Sequence, residues 1–249
     1  MTRTSWIKLD VPGTTSVMPC YVAQPDGEGP YSAILVIEEI FGINGFVRSV
    51  ADRLAAEGYV AIAPDIHHRD GAGLDLGYEK EDREIGMQLI PKLTYDNLRA
   101  DLGAAVAALR GNPAVKEGQL GCIGFCIGGH VAYLAAATPE LGIKATASFY
   151  GGGIAVFGPG GTKPTVERTD GIKGKIVCFF GAEDASIPKA QVDTITTALE
   201  TYGVRHEIVV YPNANHAFFN NDRTTNYDAV AATDAWTKVK ALFGAELQA

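Results

Sequence analysis

Short apolar runs alternate with amphipathic segments along most of the chain. Six runs predict β-strands, at 32–39, 58–65, 118–125, 144–151, 175–182 and 205–212. Most are almost continuously apolar, as strands buried on both faces of a sheet should be. Between them, apolar residues recur at helical spacing over 46–57, 94–110, 189–202 and 225–243. This alternation predicts βαβ units and a mainly parallel central sheet with helices on both faces.

The beginning of the chain departs from this alternation. Segments 4–9 and 17–24, joined through VPGTTS, predict a hairpin that adds antiparallel strands at one edge of the sheet. We therefore expect an α/β fold. We assign it to a single domain over 1–249, because no repeat or linker divides the chain.

Two long loops follow predicted strands, at 64–80 and 151–173. In open α/β sheets the loops after the strand carboxyl ends line the ligand crevice, and long loops there usually serve function.

Composition limits the classes of partner. The 249 residues carry a net charge of −8, and their lysines and arginines are dispersed. A phosphate backbone or an anionic membrane needs clustered cations, so we expect neither nucleic acid nor membrane as a partner. With no signal-peptide pattern and no apolar stretch of membrane-spanning length, we expect a cytoplasmic protein. We also expect a monomer, because no long exposed apolar face is evident.

The sequence GCIGFCIGG at 121–129 holds a cysteine between glycines. Gly124 and Gly128 stand two residues before and after Cys126, where a predicted strand ends and a helix begins. This is the nucleophile-elbow pattern G-x-S-x-G with cysteine in place of serine. The tight turn exposes the thiol at a helix N-terminus, where the helix dipole favours a thiolate.

A nucleophilic thiol needs a base, and the base needs an orienting acid. FFGAEDASIP at 179–188 ends a strand and then offers Asp184, with Glu183 as a rival acid. YPNANHAFFN at 211–220 ends the next strand and then offers His216. The order nucleophile, acid, histidine is that of elbow hydrolases.

The chain resembles the dienelactone hydrolase (carboxymethylenebutenolidase) family of α/β-hydrolases over nearly its whole length. The resemblance rests on EEIFGIN (38–44), APD (63–65), GFCIGG (124–129), GAEDASIP (181–188) and ANHAF (214–218). It implies Cys126, Asp184 and His216 as a catalytic triad. It also implies that Glu39 turns toward the resting thiol, where a carboxylate could hold the thiol proton until substrate binds.

The fold implied by this resemblance supplies an oxyanion hole of two backbone amides. One amide is that of Ile127, directly after the nucleophile, and the other is that of Ile40, after the strand that ends in Glu39.

In the family, two arginines are expected to hold the substrate carboxylate. Arg83 in EKEDREIG matches one of them approximately. The other position, four residues after the histidine, is Asn220, and an amide does not replace a bidentate guanidinium. Arg223 lies nearby and is an alternative. We expect the aromatic residues that end or follow strands to form an apolar cavity wall, namely Phe41, Tyr150, Phe218 and Phe219.

We expect neither a metal nor an organic cofactor. His67 and His68 lie beside Asp65, but no set of three or four ligands accompanies them. GPGG at 158–161 lacks the lysine of a phosphate-binding loop. His130 follows the elbow and is expected to be structural or on the surface.

Two hypotheses follow. The first is a cofactor-independent hydrolase that cleaves a small ester or lactone through a thioester on Cys126. The second is a non-catalytic ligand-binding or redox-sensing protein on the same scaffold, with Cys126 as an oxidisable thiol. The Asp184–His216 pair favours the first, because a sensor has no need of an ordered acid and base.

Overall fold

Eight strands form one sheet in the computed structural model, which describes residues 1–247. The strand order is β1-β2-β4-β3-β5-β6-β7-β8, and all pairs are parallel except β1 with β2 and β2 with β4. The strands are β1 (Thr2–Asp10), β2 (Val17–Pro25), β3 (Tyr31–Ile37), β4 (Val60–Pro64), β5 (Val115–Phe125), β6 (Ala145–Phe149), β7 (Lys175–Gly181) and β8 (His206–Tyr211). The predicted mainly parallel sheet with an antiparallel start is confirmed.

The helices lie over the two faces of this sheet. They are α1 (Gly45–Ala56), α2 (His68–Gly71), α3 (Lys80–Met87), α4 (Tyr95–Arg110), α5 (Ile127–Ala136), α6 (Lys189–Thr201) and α7 (Ala229–Glu246). Successive side chains of β3 lie on opposite faces of the sheet. Ile34 and Val36 share one core with α1 and α7, whereas Leu35 and Ile37 share the other with α4. The strands are buried on both sides, which explains their continuous apolar runs.

Local side-chain chemistry sets several element ends. Asn44 begins α1 by accepting a hydrogen bond from Val47 N at 3.3 Å. Asp228 accepts bonds from two amides of the first turn of α7, so this helix begins at 229 rather than at 225. The predicted strand 144–151 ends earlier, at Phe149, because Tyr150 has φ of +38°.

Both long loops contain more structure than the sequence predicted. The first contains α2, and Asp65 shapes it by accepting bonds from His67 N at 3.0 Å and Gly73 N at 2.8 Å. The second contains short 3₁₀ helices at Pro159–Gly161 and Thr165–Gly171. Within residues 1–247, no helix combines the length and the apolarity needed to cross a membrane.

A histidine and a carboxylate form a fully buried pair near the start of α2. His68 Nε2 lies 3.0 Å from Asp101 Oδ1, and Arg69 donates to Asp101 Oδ2 at 2.6 Å. The other ring nitrogen of His68 lies 2.9 Å from Ser16 Oγ, and that hydroxyl donates to the carbonyl oxygen of His68. This sealed pair therefore has a partner at every ring nitrogen and at both carboxylate oxygens.

Candidate active site

A cavity of about 560 Å³ opens where the parallel strands end. The segments that follow six strands, β3 to β8, contribute to it, and this is the position expected of a ligand site in such a sheet. Eight of the residues singled out from the sequence line it together: Ile40, Phe41, Arg83, Cys126, Ile127, Asp184, His216 and Arg223.

Cys126 lies on a strained turn between β5 and α5. It is not a glycine, yet its φ is +57°, a conformation that costs free energy and clusters at functional sites. The surrounding backbone holds it there. Cys126 N donates to Phe149 O at 3.1 Å, and Cys126 O accepts from Gly129 N and His130 N. The thiol is partly exposed and lies at the N-terminus of a helix.

The glycines around this cysteine permit close backbone packing. A Cβ on Gly124 would overlap the carbonyl oxygen of Gly128. A Cβ on Gly128 would overlap the carbonyl oxygens of Ile37 and Glu38, and one on Gly129 would overlap that of Phe149. The turn can therefore lie against its neighbouring strands only if these positions lack side chains.

Asp184 and His216 form a direct pair on the cavity wall. His216 Nδ1 lies 2.7 Å from Asp184 Oδ2. The other oxygen of Asp184 accepts from the amide of Ser186 at 2.9 Å and also from the Ser186 hydroxyl. Glu183, the rival acid, is exposed and makes no recorded bond to the imidazole among the described residues. With Nδ1 occupied, the other nitrogen of His216 is left for the thiol.

The surroundings of His216 favour the protonated form of its imidazole. Burial lowers the pKa of His216, but the charge of a Cys126 thiolate and the hydrogen bond with Asp184 outweigh burial and raise the pKa to about 10. Burial also raises the pKa of Asp184, but its hydrogen bonds from His216 and Ser186 leave that pKa below the ordinary value. The contacts of the imidazole with Asp184 and Cys126, together with the bonds from Ser186, account for both shifts.

Asn220 holds the Glu39 carboxylate by a hydrogen bond, and the orientation toward the thiol that the resemblance implied stays a prediction. Its side chain is buried, and Oε2 accepts a hydrogen bond from Asn220 Nδ2 at 2.8 Å. Oε1 has no hydrogen-bond partner among residues 1–247, and no bond to Cys126 is recorded there. Burial raises the pKa of Glu39, and the positive charge of Arg223 opposes this shift. Asn220 thus holds a carboxylate that was expected at the thiol.

The substrate-binding expectations need several corrections. Asn220 is fully buried and bonds Glu39 and Tyr78, so it is not on the cavity wall. Arg223 lines the cavity instead, as does Arg83. Neither guanidinium has a hydrogen bond or ion pair within the described part of the chain. The lining thus offers two cations, one of them from a position that the sequence marked only as an alternative.

Three of the four aromatic side chains expected on the wall lie beneath it. Phe41 does line the cavity, but Tyr150, Phe218 and Phe219 are buried in the core. Tyr150 supports His216 from below, with ring centroids 5.1 Å apart. Phe218 packs in turn against Tyr150 at 5.4 Å. Tyr150 directly follows β6, and Phe218 and Phe219 lie in the segment after β8. All three rings pack into the core on one face of the sheet.

Two residues that the sequence did not reveal belong to this site. Ser186 fixes the Asp184 carboxylate, and its position two residues after the acid is a local turn signal. Tyr78, in the first long loop, accepts hydrogen bonds from Asn44 and Asn220, both at 3.0 Å. No residue spacing links Tyr78 to Glu39, because the connection exists only in three dimensions.

His130 and the other three cysteines lie in the core. His130 is buried rather than on the surface, and it bonds Gly152 O and Thr165 Oγ1. Cys20, Cys122 and Cys178 are free, fully buried thiols whose pKa values burial raises. Among residues 1–247 no three side chains are arranged to hold a metal ion.

With this geometry in view, sequence comparison assigns the family. A model described as "Dienelactone hydrolase family" matches residues 18–247. The chain belongs to the dienelactone hydrolase family. It is accordingly a hydrolase of esters or lactones with the α/β-hydrolase fold, and of the two hypotheses drawn from the sequence this is the one that the family supports.

Individual relatives agree with this membership. The chain is 44% identical over 240 residues to a Synechocystis sp. protein named "Putative carboxymethylenebutenolidase", with 96% of each chain covered. A protein of the same name from Escherichia coli (strain K12) is 33% identical, with 92% of this chain and 83% of that protein covered. A Klebsiella pneumoniae structure titled "Putative Dienelactone Hydrolase" is 31% identical with a TM-score of 0.86, covering 98% of this chain and 99% of that one.

Proposed function

We propose that Cys126, His216 and Asp184 form a catalytic triad that hydrolyses esters and lactones through a thioester acyl-enzyme. The observation that carries this proposal is the 2.7 Å bond between His216 and Asp184 beside a strained, partly exposed thiol in one cavity. The bond leaves one imidazole nitrogen for Cys126, which is the geometry a nucleophile and its base require.

The first half-reaction follows from these positions. The Cys126 thiolate attacks the carbonyl carbon, and the carbonyl π electrons move to oxygen. The backbone amides of Ile127 and Ile40 stabilise this oxyanion, since both residues line the cavity beside the thiol. When the tetrahedral intermediate collapses, the bond to the leaving oxygen breaks, and the His216 imidazolium donates its proton to that oxygen.

The second half-reaction releases the acid. His216, now neutral, takes a proton from a water molecule that attacks the thioester carbonyl. Collapse expels the Cys126 thiolate, and the proton on His216 restores the starting ion pair. Asp184 holds the imidazole in position throughout. Because a thiolate is itself a good leaving group, we expect turnover of enol lactones and aryl esters to exceed that of alkyl esters and amides.

Arg83 and Arg223 suggest the charge of the substrate. Both line the cavity, and two guanidinium groups suit a carboxylate. We propose that they bind a carboxylate on the substrate, with Arg223 in place of the arginine that the family has at position 220. Replacing Arg223 with glutamine should raise KM for a carboxylate-bearing lactone about tenfold. The exposed Arg99→Gln variant is the control.

The triad is tested with p-nitrophenyl esters and small enol lactones. Wild-type protein should hydrolyse them and accumulate an acyl adduct that mass spectrometry detects on Cys126. Cys126→Ala should lose at least about 10³-fold in kcat/KM. Cys122→Ala removes a buried thiol four residues earlier and should keep its activity. Hydrolysis by Cys126→Ala at the wild-type rate would refute the thioester route.

A further inference from the structure

An apolar rim of three side chains flanks the mouth of the cavity. Met87, Val156 and Phe157 all line it, and their exposed fractions are 49%, 58% and 38%. Single exposed apolar side chains are ordinary on protein surfaces, but a group gathered at a cavity mouth marks a binding site. The apolar rim is not used by the triad or by the two arginines.

The fold holds part of this apolar rim in place. His130 Nδ1 bonds Gly152 O at 2.9 Å, and the His130 ring lies 5.0 Å from that of Phe157. Ile154, between Gly152 and Val156, is fully buried and its carbonyl accepts from Val166 N at 2.9 Å. Because the backbone on each side is anchored, the side chains of Val156 and Phe157 cannot turn into the core.

The cavity lining also includes polar side chains. They are Ser186, Gln191, Asn215 and Asn226. Its volume of about 560 Å³ lies within the roughly 300–1,000 Å³ of sites that hold drug-sized ligands. A single lactone ring with a short side chain would leave much of this space, and all of the apolar rim, in contact with water.

We propose that the substrate is an ester or lactone that carries an aromatic or similarly large apolar substituent, seated on Met87, Val156 and Phe157. This inference rests on the proposed hydrolase function and narrows its substrate class. Burial of the substituent removes apolar surface of both partners from water, which favours the larger substrate in kcat/KM. Polar groups of the substrate contact the polar side chains of the lining.

Two enol lactones that differ only in the substituent test this inference. We expect wild-type kcat/KM for γ-benzylidenebutenolide to exceed that for γ-methylidenebutenolide by about tenfold. Phe157→Ala and Val156→Ser should each lower this ratio several-fold. Comparing the ratio between variants cancels the different intrinsic reactivities of the two lactones.

The controls are an exposed aromatic side chain and an exposed valine that do not line the cavity. Tyr202→Ala and Val230→Ser should keep the wild-type ratio. An unchanged ratio in both rim variants would overturn the apolar-substituent inference while leaving the hydrolase intact. If wild type turns over neither lactone nor p-nitrophenyl acetate, the triad proposal fails, and this inference fails with it.

Discussion

Two histidine–aspartate pairs in this protein have nearly the same geometry and different surroundings. The distance is 2.7 Å between His216 and Asp184 and 3.0 Å between His68 and Asp101. In the sealed pair, Ser16 occupies the second nitrogen and Arg69 binds the second oxygen. In the cavity pair, Ser186 occupies the second oxygen but the second nitrogen is left for Cys126.

This difference separates a structural pair from a reactive one. A His–Asp contact alone does not indicate catalysis, because a buried pair with every polar atom satisfied only stabilises the fold. The cavity pair has an open position on the imidazole, a thiol beside it and a space for a substrate. The sealed pair has no such space, so its disruption should change stability and not chemistry.

The largest expected effect comes from removing each histidine. His216→Ala should lower kcat/KM at least about 10³-fold, because neither half-reaction then has a proton carrier. His68→Ala should keep the activity of the folded protein but lower the free energy of unfolding by about 3 kcal/mol, since Asp101 stays buried without its imidazole. Steady-state kinetics and urea unfolding measure the two quantities. A large activity loss in folded His68→Ala would contradict the assignment of the sealed pair to stability alone.

Removing the carboxylate charge of each pair should again lower activity for the cavity pair and stability for the sealed pair, with smaller effects than removal of the histidines. Asp184→Asn should lower kcat about 10²-fold, because the amide no longer orients a charged imidazole. Asp101→Asn should instead cost about 2 kcal/mol of stability, because the partly buried Arg69 loses its ion pair. Unchanged kcat in Asp184→Asn would mean that Ser186 alone is enough to position His216.

Alkaline pH should weaken the cavity pair. The folded pKa of His216 is raised from 6.5 to about 10, so its contribution to stability is complete below pH 6.5 and is lost as pH rises toward 10. The proton needed by the leaving group is lost with it, and kcat/KM should fall about tenfold for each pH unit above 10. Profiles of activity and Tm measure this. In Cys126→Ala, which lacks the thiolate, the alkaline decline in Tm should be smaller.

The smallest effect is expected at Asn220. Asn220→Leu frees the Glu39 carboxylate, which could then turn toward Cys126 and compete with His216 for the thiol proton. We expect about a fivefold lower kcat/KM and slower alkylation of Cys126 by iodoacetamide. Asn221→Leu, an exposed neighbour, is the control. Wild-type alkylation in Asn220→Leu would show that Glu39 stays in place without the amide.

The sequence predicted what periodicity and chain order encode. The strands follow from their apolar runs, and the elbow around Cys126 from glycine spacing. The order of Asp184 and His216 follows from where their strands end. Each of these features depends on nearby residues or on a strand order that few topologies satisfy.

Contacts between distant loops could not be predicted in this way. Glu39 and Asn220 are 181 positions apart, and no pattern in the sequence says that an amide holds this carboxylate. The same holds for Phe218 and Tyr150, whose burial depends on how two strand ends pack. The resemblance to relatives implied an orientation for Glu39, but it could not indicate that Asn220 holds this carboxylate.

The burial of three cysteines has a practical consequence. Cys20, Cys122 and Cys178 lie in the core, so an alkylating reagent should reach a single sulfur in the native protein. That sulfur is Cys126. Titration with a chromogenic electrophile should therefore measure the fraction of molecules that carry a reactive Cys126. Rates can then be expressed per functional site rather than per milligram. The single accessible thiol thus serves as an internal standard for the concentration of active sites.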